Sequence, residues 1–220
     1  QKAGWEVTTE SGFEGLGSGP ARALVGRETE FERVGYYDSA EFATLAIEST
    51  TLPDEEVAEQ VAELAEVDAE GVFLPTFATG STAGSVTTAA RAAELAVFRL
   101  LEVGYEPTDV LHASGSAPLA PATRDETEAM GRTNDALAYG GEVHLQVARD
   151  DDRFDEIVST AGEEYGTPFV EVFEDADWDF YDVPESVFAP AQVTVDVVDG
   201  PVYTVGETDE ELLAESFGYR

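Results

Sequence analysis

The chain of 220 residues has no cysteine, one lysine, two histidines and one methionine. Without cysteine there is no disulfide framework, no thiolate nucleophile and no Cys-ligated metal. The histidines, His112 and His144, lie far apart and belong to neither an HExxH nor an HxE pattern. A zinc-activated water of the deaminase type, which needs His and paired Cys ligands, has none here. Hydrolytic chemistry would have to rest on a carboxylate, Arg, Lys, Tyr or a hydroxyl. Positive charge is also scarce: 11 Lys and Arg stand against 47 Asp and Glu, a formal net charge of −36. A phosphate backbone demands a positive footprint, so nucleic acid is excluded as a partner. No apolar run approaches the ~20 residues of a membrane span, so no membrane partner is expected either.

What is present argues for a packed protein. Hydrophobic residues make up 43% and aromatics 10% of the chain, enough for a core and more than disordered acidic chains carry. The acids are spread along the chain, and ten of its eleven basic residues are Arg, Lys2 being the exception. An evenly acidic, Lys-poor surface suits concentrated salt, where self-repulsion is screened. A halophilic, cytoplasmic protein is the expectation, with an acidic interaction surface in ordinary salt as its alternative. The opening Gln1-Lys2-Ala3-Gly4-Trp5 carries no signal-peptide pattern and reads as the interior of a longer sequence.

Strand and helix patterns alternate, which predicts an α/β fold. Trp5 to Glu10 reads as a strand, Gly12 to Gly19 as a glycine-rich turn, and Pro20 to Leu24 as a helix start. Phe42 to Ser49 is an apolar run of strand length. Pro53 to Val67 is an amphipathic helix, with Val57, Val61 and Leu64 inward and six acids around them. Val72 to Ala78 is the next strand and Thr82 to Val103 the next helix. A strand near Val110 to Ala113, a helix from about Asp125 to Ala138 and a strand near Val143 to Ala148 follow. Strands at Val193 to Val198 and Val202 to Val205, turned by Asp199-Gly200, precede a short final helix.

Two glycine motifs fail as nucleotide signatures. Gly15-Leu16-Gly17-Ser18-Gly19-Pro20 resembles a dinucleotide fingerprint, but Pro20 takes the place of the third glycine. Gly80-Ser81-Thr82-Ala83-Gly84-Ser85 lacks the lysine of a P-loop. Each reads as a tight turn with a helix cap, or as a backbone N–H site for an anion.

Thr82 to Val103 carries more information. Only Glu94 and Glu102 are acidic within it, so it reads as a buried helix beside its acid-rich predecessor. Arg91 and Glu94 stand three residues apart on one face, which Thr87, Phe98 and Leu101 share. Such a pair is either a structural ion pair or the floor of a cleft. Desolvating two charges costs several kcal/mol per ion, so burial for stability alone is rare. Lys2 is a compact point charge suited to orienting a water or touching a substrate heteroatom, or simply a solvated terminal residue.

Taken in order, a set of segments resembles the methenyltetrahydromethanopterin cyclohydrolase family, one-carbon enzymes of methanogenic and related archaea and some methylotrophic bacteria. The matching stretches are QKAGW (Gln1 to Trp5), GSGPARAL (Gly17 to Leu24), PT…GS…AR..E (Pro75 to Glu94) and APLAP (Ala117 to Pro121). AMGRTNDA…YGG (Ala129 to Gly141), YGTPF (Tyr165 to Phe169), DFY (Asp179 to Tyr181), FAPA (Phe188 to Ala191) and ESFG (Glu215 to Gly218) continue it. Thr87 and Thr88 depart from the more usual polar and aliphatic residues before the Arg. The family normally has a further N-terminal segment, so the chain is expected to correspond to roughly its C-terminal two-thirds.

The resemblance implies a two-lobed α/β subunit with a cleft between lobes, assembled as a homotrimer and needing no metal or other cofactor. The implied reaction is hydrolysis of the cationic 5,10-methenyl bridge of a tetrahydropterin carrier to the N5-formyl product. By resemblance Glu94 orients and deprotonates the attacking water, Arg91 fixes that carboxylate, and Lys2 contacts water and substrate. Glu48, ending an apolar strand, is the candidate for the pterin N–H pair, since a carboxylate matches two donors. Arg22 and Ser18, beside the glycine-rich segment, are candidate contacts for the carrier's anionic tail. Two non-enzymatic alternatives share the fold: a pterin-binding fragment without turnover, and a salt-adapted structural oligomer whose Arg91–Glu94 pair holds helices together.

Overall fold

The computed structural model describes residues 4–178 and 182–219. They form two compact units, one ending at Ala78 and the other beginning at Thr79.

The first unit is built on a mixed sheet. Strand β1 (Trp5–Thr8) turns at Gly12, which takes the left-handed φ of 92°, into β2 (Glu14–Ser18). Helices α1 (Ala21–Val25) and α2 (Thr29–Val34) follow, then β3 (Ala43–Thr44) and β4 (Ala46–Glu48). Helix α3 (Glu55–Ala65) leads into β5 (Val72–Phe73) and β6 (Thr76–Phe77). The sheet order is β1-β2-β4-β6, the last pair parallel, with β3 and β5 pairing separately in parallel. The apolar run at 42–49 is thus one extended stretch with a step at Leu45, whose N–H still bonds the Phe73 carbonyl at 3.0 Å.

The predicted glycine turn at 12–19 is corrected: its middle is strand β2, paired on both edges. A Cβ at Gly17 would lie 2.6 Å from Leu45 Cδ2, and one at Gly15 would lie 2.9 Å from Ile47 Cγ2. These glycines let a strand backbone approach buried side chains, which composition alone reads as a turn. Helix α3 follows the amphipathic prediction. Asp54 caps it by accepting from Val57 N at 3.2 Å, and Val57 and Val61 join Val7, Leu45 and Ile47 in the core.

The second unit opens with α4 (Thr82–Ala89) and α5 (Ala92–Glu102), then β7 (Val110–Ser116), α6 (Glu126–Gly140) and β8 (Glu142–Val147). Helix α7 (Phe169–Asp175), hairpin β9 (Gln192–Val197) and β10 (Val202–Gly206), and α8 (Glu210–Ser216) complete it. Its sheet order is β10-β9-β8-β7, parallel only between β8 and β9. Period-two alternation places Val143, Leu145 and Val147, with Val193, Val195 and Val197, on the buried face against Leu95 and Leu100 of α5. His112 and His144 are both exposed. Helices α2 and α7 went unpredicted.

The single helix predicted over 82–103 is two helices. Arg91 N bonds Thr88 O at 3.0 Å, a tight three-residue turn, before α5 resumes. Three β-branched residues, Val86, Thr87 and Thr88, precede the break, and the Thr87 hydroxyl donates to Ala83 O at 2.8 Å. Both features weaken or bend a helix. Burial is corrected with it: α5 buries Ala92, Leu95, Ala96, Phe98 and Leu100, whereas Thr82, Ala83, Val86 and Thr87 of α4 are exposed. No helix among the described residues is long and apolar enough to cross a membrane.

Candidate active site

The break between α4 and α5 has a direct chemical consequence. It makes Arg91 the N-cap residue of α5 and places Glu94 in the first helical turn. There a carboxylate faces the positive end of the helix dipole. Arg91 Nη2 lies 3.5 Å from Glu94 Oε1, and the side chains are 35% and 37% exposed. The expectation of a buried pair is therefore corrected: the pair is half-exposed, on a turn whose next residues, Ala92 and Leu95, are buried. A carboxylate at this point can accept a proton from a water, and a guanidinium stands 3.5 Å from it.

In the first unit, Ser18 pairs with Ala46 at one end of the antiparallel β2–β4 ladder and Glu48 with Leu16 at the other, while Arg22 follows in α1. Ser18 ends β2 and Glu48 ends β4, half-buried, opposite Leu16 and Phe77 in register. Arg22 is buried, with Nε 2.5 Å from Glu28 Oε1 and Nη1 donating to Ser18 Oγ at 3.3 Å. The structure thus brings together Arg91 with Glu94, and Ser18 with Arg22. Lys2, and the Asp179 to Tyr181 segment, lie outside the described residues.

A second feature of the second unit escaped the sequence reading. Asp135 of α6 is buried and accepts from Phe169 N at 3.0 Å and from Ser216 Oγ at 2.6 Å. Desolvation raises its carboxyl to a pKa of about 6 against these two hydrogen bonds. Beside it, Tyr139 donates to Thr167 O at 2.8 Å and packs edge-on against Tyr165 at 5.7 Å. Burial pushes both phenols up, Tyr139 further through the nearby Asp135 charge. The cavity bordered by Asp135, Tyr139, Ser159, Tyr165 and Ser186 measures about 20 Å³. That is room for one water. The signal in the sequence was an acid on the buried side of α6, between Thr133 and Ala136. Among the described residues, no cluster of three or more His, Asp or Glu is placed to hold a metal ion.

Two α/β units, with an Arg–carboxylate pair at the start of a core helix, define a candidate hydrolase. Comparison with known proteins makes the class specific. The family described as Cyclohydrolase (MCH) matches residues 1–217, and the chain belongs to it. A relative from Halobacterium salinarum, named methenyltetrahydromethanopterin cyclohydrolase, is 58% identical over 99% of the chain and 70% of its own length. Relatives of the same name from Methanospirillum hungatei and Methanothermobacter marburgensis are 40% and 39% identical, covering 100% and 99% of the chain and again 70% of theirs. The resemblance drawn from the ordered motifs is borne out, as is the α/β class.

Proposed function

We propose that the chain hydrolyses the methenyl bridge of a tetrahydropterin one-carbon carrier, with methenyltetrahydromethanopterin as substrate. The observation that carries this reading is the Arg91–Glu94 pair at the start of α5, found in a member of the cyclohydrolase family. The substrate carbon is a cationic amidinium and already electrophilic. Water adds to it as Glu94 takes one proton. The hydroxyl on the tetrahedral carbon then gives up its proton as N10 leaves and takes one up, so the formyl group remains on N5 and one proton is released overall. Arg91 keeps the Glu94 carboxylate in place during the transfer. Lys2 is assigned to the water and substrate, and Glu48 to the N–H pair of the pterin ring. Ser18 and Arg22 are assigned to the carrier's anionic tail, a role in which Arg22 would serve Glu28 and the tail together. Arg22→Lys raising KM with kcat unchanged would be its sign.

No cofactor is assigned. The electrophile is supplied by the substrate, and a chain without cysteine offers only carboxylates and two exposed histidines as ligands. Turnover is expected to survive exhaustive dialysis against EDTA, and loss restored by one divalent ion would contradict this. The charge of −36 supports a salt-rich cytoplasm as the setting, and the homotrimer that the family resemblance implies completes the reading. Sedimentation in molar and in millimolar salt should differ, because dilution unscreens acid–acid repulsion. Identical profiles would remove the salt-adaptation argument.

The reaction itself is tested by mixing the protein, in molar potassium salt, with methenyltetrahydromethanopterin and following the methenyl absorbance, with the folate analogue in parallel. Protein-dependent loss with the methanopterin carrier is expected. No loss with either carrier would contradict the proposal.

A further inference from the structure

We infer that Gly115 is a positioning residue for the Arg91–Glu94 pair, an inference that rests on the catalytic reading of that pair. Gly115 lies in β7 opposite Val143 of β8, on the face that meets α5. A Cβ built on it would stand 2.9 Å from Ala93 N, 3.1 Å from Val143 Cγ2 and 3.2 Å from Ala92 Cβ. Ala92 and Ala93 are the two residues between Arg91 and Glu94. The first turn of α5 therefore rests directly on the backbone of β7, through its own backbone and a methyl group.

Of the three neighbours only Val143 has a side-chain torsion, and turning it would not relieve the contact with Ala93 N. Ala92 is 1% exposed and Val143 is 5% exposed, so the neighbours are themselves packed. The closest atom is a main-chain nitrogen. A methyl group at position 115 forces the edge strand β7 and the first turn of α5 apart, and that turn carries both members of the pair. Proton transfer depends on placement to within about 0.5 Å, and a 1 Å error reaches about 100-fold in rate. Absence of a side chain at position 115 is what lets the pair sit where it does.

The test compares Gly115→Ala with Gly131→Ala and Glu94→Gln in steady-state assays on methenyltetrahydromethanopterin, with thermal melts of each. Gly131 of α6 is crowded more closely, a Cβ there standing 2.3 Å from Val170 Cγ2, but by a side-chain atom. Gly115→Ala is expected to lower kcat at least about tenfold with KM within about threefold, on the displacement argument above. Gly131→Ala is expected to lower the melting temperature and leave kcat intact below it. If Glu94→Gln abolishes turnover while folded Gly115→Ala retains kcat within about twofold, the inference alone falls. The same holds if Gly131→Ala loses kcat as severely. If Glu94→Gln retains turnover, the reading of the pair falls and this inference with it. Should Gly115→Ala fail to fold, Ala92→Gly loosens the same contact from the helix side. It must lower kcat several-fold at constant KM, and unchanged kcat overturns the assignment.

Discussion

Two of the Arg–Glu pairs among the described residues stand in very different settings. Arg22 and Glu28 of the first unit meet at 2.5 Å with side chains 9% and 19% exposed, and Ser18 braces the guanidinium. Arg91 and Glu94 of the second unit meet at 3.5 Å and are more than a third exposed. A tight, desolvated pair holds a fold together and is damaged by loss of either member. A looser, solvent-reachable pair contributes little to stability, of order 0–1 kcal/mol. What it leaves is a carboxylate that a water can approach. The same residue types thus do structural work in one unit and are suited to chemistry in the other.

The largest effect expected from this contrast is on folding. Arg22→Met leaves the half-buried Glu28 carboxylate without its guanidinium, and should destabilise the protein by about 2–3 kcal/mol in chemical denaturation, below the full cost of breaking a buried pair. Arg91→Met, by the same measurement, should cost no more than about 1 kcal/mol. If the two variants lose equal stability, the distinction between the pairs collapses.

Asp135 sharpens the contrast, because it is a buried acid held by hydrogen bonds from Phe169 N and Ser216 Oγ. Its folded pKa of about 6 lies above the ordinary 3.8, so the folded state retains the proton longer than the unfolded chain does. Stability from this group is therefore fullest below about pH 4, falls as pH rises towards 6, and is level above that. The total fall is up to about 3 kcal/mol by linkage. Asp135→Asn should gain on the native protein across that window when denaturation curves are compared from pH 4 to 7. A difference that stays constant with pH would show that Asp135 does not titrate in this way.

How much of this was legible follows from how local each feature is. The α3 stripe, the alternation at 143–147 and 193–197, and the Arg91–Glu94 spacing are set by neighbours within a few residues, and the sequence displays them. Strand β2 is not: Gly15 and Gly17 look like a turn until Leu45 and Ile47 are packed over them. The 82–103 segment carries a helical pattern throughout. Its break at Ala90–Arg91, presaged only by three β-branched residues, decides where the pair points. Asp135 was invisible as a site because its partners lie 34 and 81 residues away. Lys2 was legible as the sole lysine and lies outside the described residues.

The central claim is that Glu94 performs proton transfer while contributing little to the fold. The most direct measurement is kcat for Glu94→Gln on methenyltetrahydromethanopterin, paired with its denaturation midpoint. Turnover is expected to fall at least about 100-fold, the scale of a lost general base, with the midpoint unchanged within the range of an exposed pair. Turnover within a few-fold of the native protein, with folding intact, would contradict the assignment.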